Sequence, residues 1–154
     1  MILYRIISLF VNVFCAVIAV LTLFGLLYAI TYPSALFQCF LLVGTVLYGW
    51  FASRFNRQVI IKQQPFTKKN KDWLQVNGIV AFVFCILGIS NALYIYQNPA
   101  IFDDILKQLP KEIGVSKQLL LNISATLFLC CSILLIHIIW TYILIKKHAE
   151  TLKG

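Results

Sequence analysis

Residues 6–53 read IISLFVNVFCAVIAVLTLFGLLYAITYPSALFQCFLLVGTVLYGWFAS, and no side chain in this stretch carries a charge. A single helix needs about 20 apolar residues to cross a bilayer, so this run has length for two. Pro33 divides it, because proline breaks the helical hydrogen-bond ladder and holds the residue before it in an extended conformation. Two further uncharged runs follow, Trp73–Phe102 and Gln118–Ile145, separated by charged segments. The pattern predicts four spans, at about residues 6–30, 34–53, 73–97 and 118–145. Backbone amides in hydrocarbon must bond within the chain, so spans of this length are helices. The expected fold class is all-α: a polytopic membrane protein built as a four-transmembrane-helix up-down-up-down bundle, with residues 1–154 forming a single domain.

Composition points the same way. The chain is 61% hydrophobic and 12% charged, about half the charged fraction of an ordinary soluble domain. Its net charge of +8 would suggest nucleic acid in a soluble protein, but the distribution gives another meaning. Arg5 precedes the first span, Arg54, Arg57, Lys62, Lys68, Lys69 and Lys71 lie between the second and third, and Lys146, Lys147 and Lys153 follow the fourth; these ten are most of the 13 basic residues. The remaining three, Lys107, Lys111 and Lys117, are offset by Asp103, Asp104 and Glu112. By the positive-inside rule both termini and the central connection are expected to be cytoplasmic, and no nucleic-acid partner is expected. A plasma membrane is the expected location, with a bacterial inner membrane favoured. The basic stretch Lys68–Lys71 has a second possible use, in holding anionic lipid head groups.

The first apolar run is too long for the core of a cleavable signal, and no small-x-small site closes it, so it is expected to remain as a span. Phe14 before Cys15 departs from a lipoprotein cleavage site, and no lipid anchor is expected. Tyr48, Trp50 and Phe51, Trp73, and Trp140 with Tyr142 are placed at one interface, and Tyr28, Tyr32, Tyr94 and Tyr96 at the other, where amphipathic rings meet head groups. Between the third and fourth spans, Ile101, Phe102, Ile105 and Leu109 fall on one side of a short interfacial helix expected at about residues 100–109. It reads as a connector packed on the bundle mouth or as a lid.

Membrane helices associate through small and weakly polar residues, since apolar side chains gain nothing over lipid. In the first span Ser8, Asn12, Cys15, Ala19 and Thr22 recur at alternating steps of three and four. In the third, Gly78, Ala81, Cys85, Gly88 and Ala92 do the same, which makes them the candidate helix-packing seam. Gln38, Thr45, Gly49 and Ala52 form a weaker stripe on the second span, and Asn122, Thr126, Cys130, His137 and Thr141 one on the fourth. Asn12, Asn77 and His137 are expected in the inner half as a candidate polar interior. They serve either as interhelical hydrogen-bonding groups or as a pocket. With no intramembrane carboxylate beside it, His137 is expected to be neutral at pH 7.

The spacings of reactive residues argue against catalysis. The cysteines at 15, 39, 85, 130 and 131 make no C-x-x-C pair, and no disulfide is expected. Only His137 among the histidines lies within a span, one short of bis-histidine haem ligation, and there is no H-E-x-x-H. No cofactor, metal site or catalytic residue is assigned, and no enzyme activity is expected. No Asp, Glu, Lys or Arg falls inside a span, which counts against proton-coupled antiport. The reading is an interaction or accessory subunit in a membrane complex or a homo-oligomer, in contact with membrane lipids. The alternative is a bundle that binds or conducts a small solute through its polar interior, with an intramembrane enzyme as a remote third.

Overall fold

A computed structural model describes residues 2–98, 100–101 and 116–148. The described chain is helical, and four of its helices are long and apolar enough to cross a membrane. Helix α1 is Ile2–Thr31, α2 is Leu36–Phe55, α3 is Lys68–Gln97 and α4 is Lys117–Lys147. Most of the expected connector at 100–109 lies outside the described residues, as do Asp103, Asp104, Lys107, Lys111, Glu112 and Lys153.

The helix ends follow from local chemistry. Tyr32 is extended ahead of Pro33, and a 3₁₀ turn, Pro33–Ala35, leads directly into α2. This is the conformation a residue before proline is forced to take. Helix α3 begins five residues earlier than the uncharged run, because Thr67 caps it: the Asn70 amide donates to Thr67 Oγ1 at 3.4 Å. Ser116 caps α4 in the same way, accepting from the Leu119 amide at 3.2 Å. A hydroxyl at this position satisfies one of the amides a helix start leaves free. Charge thus limits the apolar span but not the helix.

Helix α2 does not end at Phe55 but widens into a π-helical segment, Asn56–Ile61. The Lys62 amide closes it on the Arg57 carbonyl at 3.2 Å, five residues back. Gln63 then turns the chain with φ of 52°, the left-handed conformation that ends many helices. Val59, Ile60 and Phe66 are buried, and Phe66 meets Phe55 edge-on with ring centroids 5.5 Å apart.

Contacts divide the chain into two compact units, Met1–Phe84 with Ile133–Gly154, and Cys85–Ser132. The division cuts α3 and α4, so each contributes one segment to each unit. Within the first unit, Asn12 meets Ser53, Cys15 meets Gly49 and Gly25 faces Cys39, so α1 and α2 run antiparallel. Phe51 stacks on Trp73, and Gly44 faces Val80, so α2 and the α3 segment are antiparallel too. Tyr4 bonds Thr141 and Ser8 bonds His137, giving the same relation between α1 and the α4 segment. In the second unit Gly88 faces Cys131, and Ala92 and Tyr96 share a groove with Phe128 and Ser124.

Close approach in the first unit depends on two α2 glycines. A Cβ at Gly49 would lie 2.5 Å from Cys15 Sγ, and one at Gly44 would run into the branched side chain of Val80. Only hydrogen at these positions lets the helices come so near.

Candidate functional site

A cluster of buried polar side chains in the first unit gathers around His137. Helix α1 supplies Tyr4 and Ser8, α2 supplies Tyr48, and α4 supplies His137 and Thr141. Tyr4, Tyr48, His137 and Thr141 are completely enclosed, and Ser8 nearly so. His137 Nε2 lies 2.9 Å from Ser8 Oγ, and Nδ1 lies 2.8 Å from the Tyr48 hydroxyl. The imidazole therefore joins α1 and α2 to α4, one nitrogen to each. Tyr4 stacks on the ring with centroids 5.1 Å apart, and its hydroxyl meets Thr141 Oγ1 at 3.0 Å. Trp140 closes on Tyr4 edge-on.

Counting protons gives one tautomer that matches these contacts. The Thr141 hydroxyl donates to the His137 carbonyl at 2.8 Å, so its oxygen accepts from the Tyr4 and Tyr48 hydroxyls. Tyr48 has only one proton and directs it to Thr141 at 3.2 Å. In that tautomer Nδ1–H donates to the Tyr48 oxygen, and Nε2 accepts from Ser8. A neutral ring with one donor and one acceptor matches this cage, with both nitrogens partnered. Buried polar networks of this kind stabilise a fold only when each member is satisfied.

The three residues proposed for the polar interior do not share a site. His137 forms the cluster just described. Asn12 donates through Nδ2 to Ser53 Oγ at 3.2 Å, a separate link between α1 and α2. Asn77 is buried, but its Nδ2 donates to the Trp73 carbonyl at 2.8 Å, one turn back in its own helix. The proposed seam on α3 falls on both units: Gly78, Ala81, Cys85 and Ala92 are buried and Gly88 is half-buried. Gly78 packs against Tyr142, whose hydroxyl donates to the Gln75 carbonyl, while Gly88 packs against Cys131.

The α4 stripe is rotated from its expected position. Cys131, Leu134, His137, Ile138, Thr141, Leu144 and Ile145 are buried, whereas Asn122 and Thr126 are exposed and Cys130 is half-buried. Asn122 accepts from Gln118 at 3.1 Å, and Thr126 Oγ1 donates to the Asn122 carbonyl at 2.8 Å. These groups are satisfied along one helix and need no neighbour. Gln38 on α2 is likewise exposed. The five cysteines are free thiols, and among the described residues no three His, Cys, Asp or Glu side chains gather.

Tyr4 and Tyr48 are the members of the cluster that the sequence reading left out. Tyr48 is expected among the interfacial aromatics, yet Thr45, Tyr48, Ala52 and Phe55 are all buried at steps of three and four. Tyr4 begins the same kind of series, Tyr4, Ser8, Val11, Cys15, Ile18 and Thr22. Heptad spacing marks both residues, but their large rings set them apart from the small and weakly polar side chains that make up the stripes.

The ends of the first unit that carry the basic residues also meet. Arg5 Nη2 reaches the Ile60 carbonyl at 3.4 Å, Phe51 stacks on Trp73, and Tyr142 bonds Gln75. Arg54, Arg57, Lys62, Lys68, Lys69, Lys71, Lys146 and Lys147 belong to these ends. Among the described residues, Asn56 Oδ1 is the one buried side-chain oxygen or nitrogen without a hydrogen-bond partner, at the first position of the π segment.

Comparison with known proteins assigns no relative: the chain matches no protein-family model, no curated protein and no solved structure.

Proposed function

We propose that the protein is a small integral membrane protein whose four helices form one up-down-up-down transmembrane domain, and that it acts as an interaction or accessory subunit, in contact with other membrane proteins or with copies of itself. The observation that carries this reading is the use made of the buried polar groups. Both ring nitrogens of His137 are spent on Ser8 and Tyr48, so the interior of the first unit holds helices together and offers no free polar group of that ring to a solute. The outward faces are strongly apolar: on α1, Leu9, Leu23, Phe24 and Leu27 are about two-thirds exposed in the isolated chain, at 65–67%. Such faces suit lipid and partner helices.

The antiparallel contacts of α1 with α2, of α2 with α3 and of α1 with α4 support the up-down order. The clustering of basic residues at one set of helix ends supports cytoplasmic termini. A plasma membrane, with the bacterial inner membrane favoured, fits a short apolar chain of this orientation. A reporter fused at Gly154 or inserted at Lys69 is expected to behave as cytoplasmic and one at Lys107 is not. A periplasmic or extracellular signal at Lys69 would overturn the orientation.

The function is tested by extraction in mild detergent, affinity capture of the tagged full-length chain and identification of what remains bound, together with the mass of the particle in solution. A stoichiometric membrane-protein partner, or a particle of two or more copies, is the expected result. A monomer without partners that binds or passes a solute would replace this reading with the solute-handling one.

A further inference from the structure

The α3 and α4 segments of the first unit enclose a groove of about 450 Å³ on the outer surface of the helices. Its floor is Gly78 and Tyr142, its walls are Ile79, Phe82, Ile139 and Ile143, and Lys146 stands at one end. Gly78 makes the groove possible. A Cβ there would lie 3.0 Å from the Tyr142 ring, and the Tyr142 hydroxyl is fastened to the Gln75 carbonyl, so the ring lies pinned across the seam instead of projecting. Ile79, Ile139 and Ile143 are 50–61% exposed, so their side chains rise as rims and do not fill the space between them.

We infer that this groove binds one anionic phospholipid, with an acyl chain between the isoleucine rims and the phosphate at Lys146. The inference rests on the membrane reading above, but not on the accessory role. Two properties select this occupant. The first is charge: the apolar groove ends at an ammonium, and Lys147, Lys68, Lys69 and Lys71 lie on the same α3 and α4 ends with Asp72 as the one acid among them. Cations at this level attract anionic head groups. The second is shape. A partner helix approaches closely where a stripe of small residues receives it, and here one glycine lies among branched and aromatic side chains. A flexible acyl chain can follow such a surface, and the volume lies within the range of about 300–1,000 Å³ usual for small-molecule sites.

The test uses the full-length protein purified in mild detergent, with phosphatidylglycerol or phosphatidylcholine added in steps and bound lipid counted by native mass spectrometry. The parent is expected to retain phosphatidylglycerol in preference to phosphatidylcholine. Lys146→Gln should weaken that retention about fivefold, the factor for one cation near a head group. Ile139→Trp, which fills the groove from an exposed position, should weaken it at least as much. Lys68→Gln should leave it within about twofold, since Lys68 is not among the residues that line the groove and a localised phosphate would lie beyond its reach. Thermal unfolding in lipid-free detergent should be the same for all four proteins.

Equal retention of the two lipids by the parent would overturn the site. So would a loss in Lys68→Gln equal to that in Lys146→Gln with no effect of Ile139→Trp, which is the behaviour of a diffuse basic surface. Resistance of the parent to carbonate washing of membranes separates the two readings. A chain that washes off refutes the membrane reading itself, whereas one that stays but shows no lipid preference refutes only the groove.

Discussion

Two parts of this chain differ in whether their polar side chains reach across to another helix. In the unit formed by Met1–Phe84 and Ile133–Gly154, hydroxyls and an imidazole reach from one helix to another: Ser8 and Tyr48 to His137, Tyr4 and Tyr48 to Thr141, Asn12 to Ser53. In the unit Cys85–Ser132, Gln118 bonds Asn122, Thr126 bonds the Asn122 carbonyl and Ser132 bonds the Phe128 carbonyl, each along a single helix, as Thr22, Thr45 and Asn77 do within the first unit. A polar residue in an apolar helix is therefore not, by identity alone, a contact between helices. It becomes one when a partner stands opposite, and otherwise it turns back on its own backbone. Only the first arrangement makes stability depend on the side chain.

The largest expected effect breaks the imidazole bridge. His137→Ala deprives Ser8 and Tyr48 of partners in an enclosed site and leaves a void, which should cost about 3 kcal/mol, from roughly 1–3 kcal/mol per unsatisfied buried group. The check is the detergent unfolding temperature against Asn122→Ala, and equal values for the two would erase the contrast between the units.

Close-packed glycines give the next. Gly44→Ala drives a methyl into Val80, whose branched carbon cannot swing away, and should cost about 1–3 kcal/mol by overpacking. Gly88→Ala meets Cys131 Sγ at 2.8 Å, the far end of a side chain that can rotate, and should cost less. Gly88→Leu, too large for that adjustment, should again be clearly destabilising, while Ile89→Leu should be nearly silent. A larger loss in Gly88→Ala than in Gly44→Ala would show that the second unit is the more tightly packed.

Conservative replacements of His137 sharpen the same point. Asparagine places its amide near the position of Nδ1 and glutamine nearer that of Nε2, so each keeps one helix and releases the other. Both variants should unfold at temperatures between those of the parent and His137→Ala, with losses of about 1–2 kcal/mol for one lost buried partner. Ring titration by nuclear magnetic resonance provides the other measurement. A neutral ring from pH 6 to 8, in the window where a functional imidazole changes charge, is expected of a structural bridge. A charge change in that window would favour a proton-linked role.

The smallest effects belong to Asn122→Ala and Thr126→Val. Their side chains are exposed and bond only within α4, so each should shift stability by no more than about 0.5 kcal/mol. A loss comparable to that of His137→Gln would mean that these groups hold a neighbour after all.

Much of the helical layout was legible in the residues. Uncharged runs of the required length specified four helices, and Pro33 specified the break between the first two, because chain stiffness and hydrogen-bond geometry act locally. The α1 stripe was legible too: Ser8, Cys15 and Thr22 are buried and Asn12 and Ala19 half-buried, since the 3.6-residue period fixes which residues share a face. Helix ends were less so. Thr67 and Ser116 carry α3 and α4 past the edge of the apolar runs, and the π segment at Asn56–Ile61 has no charge or hydropathy signature.

What sequence determined by itself is thus the set of elements and, for α1 and α3, the side each turns inward, as both follow from composition and period along one chain. Partnership was decided only in the tertiary structure. Tyr48 has the residue type of an interfacial aromatic, yet His137 and Thr141 stand against it, and Asn122 and Thr126 have the spacing of inward groups, yet both are exposed among the described residues. Asn12, Asn77 and His137 are alike by depth, yet each has its own partners: Ser53, the Trp73 carbonyl, and Ser8 with Tyr48. A hydrogen bond between helices requires two groups within about 3 Å, from residues distant in sequence. Periodicity gives the direction of each side chain, but only packing brings the second atom into reach.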